Sequence, residues 1–202
     1  MNIFEEVTSK FLAMLNNNNN QNGWVEWTHE GSTPARTSEA KAYYAAAGTN
    51  SKHCAKCMNL NGCWFLRSKM PELPLHPNCH CKVKDIDNPI SGVSVIAECV
   101  IDKFTQYIFH LTNNGGKKAL FENWGYGIMD SKELQTEFIR QAQKKYADGE
   151  YELGRLNDFG QRINIIILLL TSNGDYATFR SGWMVYPDGK IRLTTPFGGK
   201  IK

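Results

Sequence analysis

The sequence has almost no cysteine outside one short window. Five of its six cysteines, Cys54, Cys57, Cys63, Cys79 and Cys81, fall within 28 positions, and Cys99 is the exception. No run reaches the roughly 18 apolar residues of a membrane span, and the longest, Ile165 to Leu170, has the length of a buried strand. The N-terminus, Met1 to Glu6, carries neither a basic nor an apolar leader region, so no signal peptide is expected. No Walker loop, Gly-x-Gly-x-x-Gly fingerprint or serine-hydrolase elbow occurs, which argues against nucleotide-cofactor chemistry. Charge of either sign is not in excess: the net charge is +3, which permits contact with nucleic acid without requiring it.

The cysteine window holds the most specific pattern. Cys54-Ala55-Lys56-Cys57 is followed about twenty residues later by Leu75-His76-Pro77-Asn78-Cys79-His80-Cys81. Two thiolates three residues apart can grip one ion from a single turn, and a second pair closes the tetrahedron that Zn²⁺ prefers. A reducing, cytoplasmic setting favours metal over cross-links; a disulfide pair or unpaired thiols are the competing readings. The expected ligands of one structural Zn²⁺ are Cys54, Cys57, Cys79 and Cys81, with His76 as the chief substitute. Cys63 and Cys99 are expected to be free. Glu26, His29 and Glu30 lie close together without a partner motif and read as surface residues.

At 202 residues and 42% hydrophobic composition, one or two domains are expected. Residues 3 to 15 repeat apolar residues at helical spacing. Asn16 to Asn20, with Gln21, Asn22 and Gly23, form a polar linker-like tract, completing an N-terminal segment 1–23. Residues 24–88 hold the cysteine window and few regular elements beyond an alanine-rich helical stretch around Glu39 to Ala47. Pro89 and Gly92 mark a boundary. Residues 93–202 read as an α+β domain. Val93 to Leu111 suits a helix, or a strand followed by a helix. A further helix begins near Asp130, with Ser131 as N-cap and Leu134, Phe138, Ile139 and Ala142 on one face, and ends at Asp148-Gly149. Four strand-like runs follow: Tyr151–Leu156, Arg162–Leu170, Ala177–Tyr186 and Lys190–Thr195. Asn173-Gly174 and Asp188-Gly189 are hairpin signals between them. The fold class expected is therefore α+β: a small zinc-stabilised irregular module, then one or two helices on an antiparallel meander of about four strands.

Two resemblances extend this reading. Cys54, Cys57, Leu60, Gly62 and Phe65, then Pro74-Leu75-His76-Pro77-Asn78-Cys79 and Cys81, resemble the C-terminal module of phage head morphogenesis proteins, the Mu F-like minor capsid proteins. Trp27 and Arg36 sit where that module carries a Trp-Thr … Arg segment. The usual Arg between the last cysteines is His80, and the family's long helical portal-binding region is absent. The second half is similar to toxin domains of the barnase–EndoU–colicin–RelE ribonuclease group. The matching features are Asn113-x-Gly115-Gly116-Lys117-Lys118-Ala119-x-Phe121, an amphipathic helix, Ser181 to Gly189, and Leu193-Thr194-Thr195-Pro196. This resemblance implies a metal-independent ribonuclease. Such chemistry needs a proton acceptor, a proton donor and groups that hold the phosphate. His110, Lys117, Lys118, Arg162, Thr194 and Thr195 supply those types. As alternatives, lysines after a Gly-Gly turn are ordinarily solvated, and strand threonines ordinarily reflect β-propensity. Arg162, Arg192 and Asp158 can form structural ion pairs. The partners implied are RNA and either an immunity protein or phage-head proteins, with no membrane; the location implied is the cytoplasm or a phage-like particle. The competing function is a non-enzymatic phage-head-related interaction protein.

Overall fold

A computed structural model describes residues 23–29, 54–77, 79–111 and 115–201. The helix expected over 3–15, the asparagine tract, the alanine-rich stretch, Glu30 and Arg36 lie outside the described residues.

The protein is α+β. The sequence reads as irregular over 24–88, yet three strands meet there in an antiparallel sheet of order β2-β1-β3. They are β1 (Trp24–His29), β2 (Trp64–Leu66) and β3 (Cys81–Ile86). Strand β1 follows the two-residue period: Val25, Trp27 and His29 are all buried, and Trp27 meets Phe65 edge-on at 6.3 Å. A short helix, α1 (Ala55–Leu60), precedes β2 and is capped by Cys54, whose sulfur accepts the Cys57 N–H.

The second sheet has the order β4-β8-β7-β6-β5. Its strands β5 (Glu152–Asn157), β6 (Gly160–Leu170), β7 (Tyr176–Val185) and β8 (Ile191–Thr195) form the expected antiparallel meander. A fifth strand, β4 (Ala97–Glu98), is added at the edge, parallel to β8. The stretch 93–111 thus resolves into a strand followed by a π-helical turn, Lys103–Ile108.

In β6, Ile163, Ile165, Ile167 and Leu169 alternate inward and are at most 2% exposed. They face α3 (Ser131–Ala147), whose Leu134, Phe138, Ala142 and Tyr146 recur every four residues and are all buried. Truncating Phe138 to Ala would cost about 3–5 kcal/mol. The N-cap of α3 is Asp130, one residue before the expected Ser131. A 3₁₀ turn, Ile128–Asp130, runs straight into the helix, so Ser131 is already helical and its hydroxyl donates to the Ile128 carbonyl. Gly149, with φ +73°, stops the helix in a conformation that side chains resist. A further short helix, α2 (Lys117–Asn123), sets Phe121 into an aromatic group with Trp124 and Phe179.

The two sheets share one buried cluster, which runs from Trp24, Trp27 and Phe65 through Tyr146 and Tyr151 to Trp183. Hydrogen bonds cross between them: Tyr146 OH donates to the Trp64 carbonyl at 2.6 Å, and the Leu66 N–H donates to Tyr151 OH at 2.9 Å. Among the described residues no helix is long and apolar enough to cross a membrane.

Candidate metal centre

The Cys-x-x-Cys turn works because Cys54 caps α1 while Cys57 lies within its first turn, so both sulfurs fall on one side, 3.1 Å apart. The loop before β3 brings the second cluster over this turn. His76 Nε2 stands 3.2 Å from Cys54 Sγ and 3.0 Å from Cys57 Sγ. Cys79 Sγ is 3.9 Å from Cys57 Sγ. A tetrahedral zinc with Zn–S bonds of about 2.3 Å separates its sulfurs by about 3.8 Å. The Cys57–Cys79 separation matches this value, the Cys54–Cys57 pair is tighter, and the softness and convergence of the donors suit such an ion.

Electrostatics point the same way. Burial, then the hydrogen bonds and charges of Cys54 and Cys81, push the Cys57 thiol far above its ordinary value. Burial pushes Cys81 up to about 11. Burial also opposes ionisation at Cys54 and Cys79, but backbone N–H groups, with neighbouring side chains, outweigh it and lower both. Crowded thiols of this kind resist ionising together unless a cation sits among them. The Pro77 carbonyl accepts from His76 Nδ1 at 2.7 Å and raises the imidazole. A proton held on Nδ1 leaves the Nε2 lone pair facing the sulfurs, the usual outer-shell arrangement of a ligating histidine.

His29 corrects the sequence reading. It is not a surface residue but 4% exposed, and its ligand atom groups with those of Cys57 and Cys81 within 4.8 Å. The cause is register: His29 pairs directly with Cys81 across β1 and β3, which brings it beside Cys57. The signal was the alternation Val25, Trp27, His29, which puts the histidine on the buried face. Cys63 and Cys99 are buried: the Cys63 thiol donates to the Asn59 carbonyl, and burial pushes Cys99 up to about 12, with Lys103 opposing.

The residues proposed from sequence for catalysis divide. Arg162 Nη2 donates to Thr194 Oγ1 at 3.3 Å and to Thr195 Oγ1 at 3.1 Å. Lys117 holds its ammonium 5.0 Å from the Tyr107 ring centroid and lines a shallow cleft with Gly115, Gly116 and Phe197. Lys118 stands 3.8 Å from Glu122. His110 is exposed. Of the expected structural ion pairs, Arg192 forms one with Glu98 and another with Asp188. Trp183 is fully buried in the core, its indole N–H donating to Ser181 Oγ.

Fold and cluster together define an α+β protein carrying a thiolate–imidazole centre able to hold a metal ion. Residues 95–200 match the family model described as Domain of unknown function (DUF6883), and the chain belongs to that family. The match begins beyond the cysteine window. No curated protein and no solved structure matches the chain.

Proposed function

We propose that this chain is a phage- or mobile-element-derived protein in which a structural zinc ion organises residues 24–88 and the C-terminal domain acts on RNA as a metal-independent ribonuclease of the toxin kind. The observation that carries the zinc assignment is the approach of His76 to both sulfurs of the Cys54–Cys57 pair, at 3.2 and 3.0 Å, with Cys79 Sγ 3.9 Å from Cys57 Sγ. Cys54, Cys57, His76 and Cys79 are the proposed ligands; Cys81 and His29 form a second group with Cys57. Four protein donors leave no open position for a reacting water, so the ion's contribution is to stability.

The RNA reading is supported by the grouping of Arg162 with Thr194 and Thr195 at the end of β8, together with the toxin-domain resemblance. Incubating the purified chain with cellular RNA in the presence of a chelator of free divalent ions tests it. The expected result is cleavage that His110→Ala abolishes; intact RNA and unimpaired growth of expressing cells refute it.

One observation favours the second reading, a non-enzymatic phage-head-related interaction protein. Lys118 is paired with Glu122 and Lys117 stacks on Tyr107, so both lysines have structural occupations. Under that reading Lys117→Ala and Lys118→Ala change stability and no activity.

A further inference from the structure

We propose that Arg162, with Thr194 and Thr195 beside it and Lys103 on the Thr194 carbonyl, forms a binding site for a phosphate group at the bulge of β8. The proposal rests on the same Arg162–Thr194–Thr195 group as the RNA reading, adds Lys103 to it, and does not require cleavage.

The site is built by an irregularity. Gly182 pairs with Thr195 and Trp183 with Leu193, so β8 spends one extra residue, Thr194, against β7. In a regular strand Thr194 and Thr195 would point to opposite faces. The bulge turns both hydroxyls toward one nitrogen, Arg162 Nη2. Gly182 leaves the space for this: a Cβ there would lie 3.3 Å from Thr194 Oγ1 and 3.4 Å from Arg162 Nη2.

Charge is the second observation. Among the described half-buried arginines, Arg67 pairs with Asp85, and Arg192 pairs with Glu98 and Asp188. Arg162 has hydroxyl partners, and no carboxylate pairs with it among the described residues. Lys103, from the π-helical turn, donates to the Thr194 carbonyl at 2.9 Å, and it likewise pairs with no described carboxylate. Two half-buried cations therefore bracket one residue. The hydroxyls hold the guanidinium without neutralising it. Thr194 passes its proton to the Gly182 carbonyl at 2.8 Å, whereas no acceptor among the described residues takes the Thr195 proton. A planar guanidinium with free N–H groups beside a hydroxyl donor matches the oxygens of a phosphate.

The test titrates the full zinc-loaded chain with inorganic phosphate, a mononucleotide and an eight-nucleotide single-stranded RNA, following the Arg162 Nε–H resonance and the heat of binding. Saturable binding is expected, weakened about 10- to 100-fold by Arg162→Gln, as losing a hydrogen-bonded charge predicts. Thr195→Val, which keeps the side-chain shape, should weaken it by a smaller factor and guards against a misfolded arginine variant. Binding of inorganic phosphate or the mononucleotide alone identifies a small-molecule site; tighter binding of the RNA identifies a phosphodiester backbone. Phosphate binding without RNA cleavage upholds this site and refutes the ribonuclease reading. The proposal is overturned if none of the three ligands saturates the protein, or if folded Arg162→Gln and Thr195→Val bind as the unaltered chain does.

Discussion

His76 and Cys57 are nineteen residues apart in sequence, and their Nε2 and Sγ atoms are 3.0 Å apart in space. Cys57 is also the donor common to both groups, Cys54–Cys57–His76 and His29–Cys57–Cys81. Its replacement should therefore be the most damaging. Cys57→Ser and His76→Ala are each expected to lower zinc affinity by at least the 10- to 100-fold typical of outer-shell changes. Cys63→Ala, in the adjacent core, should leave the zinc content of the purified protein unaltered. Competition with a coloured chelator measures all three. Equal affinity in Cys57→Ser would remove Cys57 from the site.

Metal removal should act locally first. A structural zinc contributes on the order of 10 kcal/mol to a small module, whereas β6 and β7 pair over ten residues without it. Chelation is expected to abolish hydrogen-exchange protection across β1, β2 and β3. It should also loosen the last turn of α3, where Tyr146 bonds Trp64. The β6–β7 ladder should keep its protection. Simultaneous loss everywhere would show one cooperative unit.

Gln141 seals an exposed strand edge. Beyond the reach of β5, the outer edge of β6 meets no strand among the described residues, and the Gln141 amide takes its place: Oε1 accepts the Leu168 N–H at 3.0 Å and Nε2 donates to the Leu168 carbonyl at 2.6 Å. Lys145 and Tyr126 cap the Ile166 and Leu170 carbonyls in the same way. Gln141→Leu leaves two strand groups without partners, at a cost of about 1–3 kcal/mol, and opens the edge to pairing with other chains. A lower melting temperature and concentration-dependent association by light scattering are expected; an unchanged monomer would contradict this account of the edge.

Glu98 ties β4 to β8. Burial would raise its carboxyl, but Lys190 and Arg192 outweigh burial and hold it below the usual carboxylate range. A depressed folded-state pKa adds stability above the unfolded value of about 4.3, and that stability disappears as pH falls through the folded value. The stability difference between the unaltered chain and Glu98→Gln should be constant at neutral pH and close on acidification below about pH 4. A difference that persists in acid would assign the effect to packing.

The parts legible in the sequence are those with a local period. The alternation of β6 and the four-residue recurrence in α3 identify both elements within a residue or two, and the Asn-Gly and Asp-Gly turns separate the strands. The three-stranded sheet was not legible, because β2 has three residues and β1 finds β3 more than fifty residues away. His29 was misread for that reason: its burial depends on the Cys81 partner. The Thr194 bulge likewise leaves no trace in residue type, since both threonines suit an ordinary strand. The gathering of His76 with Cys54 and Cys57 was foreshadowed by their spacing, whereas the spacing favoured Cys81 over His76 as a ligand.

The proposed zinc ligands are Cys54, Cys57, His76 and Cys79. X-ray absorption at the zinc edge, on protein purified without added chelator, reads that shell. One zinc per chain is expected, with three sulfurs at about 2.3 Å and one nitrogen at about 2.0–2.1 Å. A folded protein free of metal would contradict the centre itself, and a shell of four sulfurs would replace His76 with Cys81.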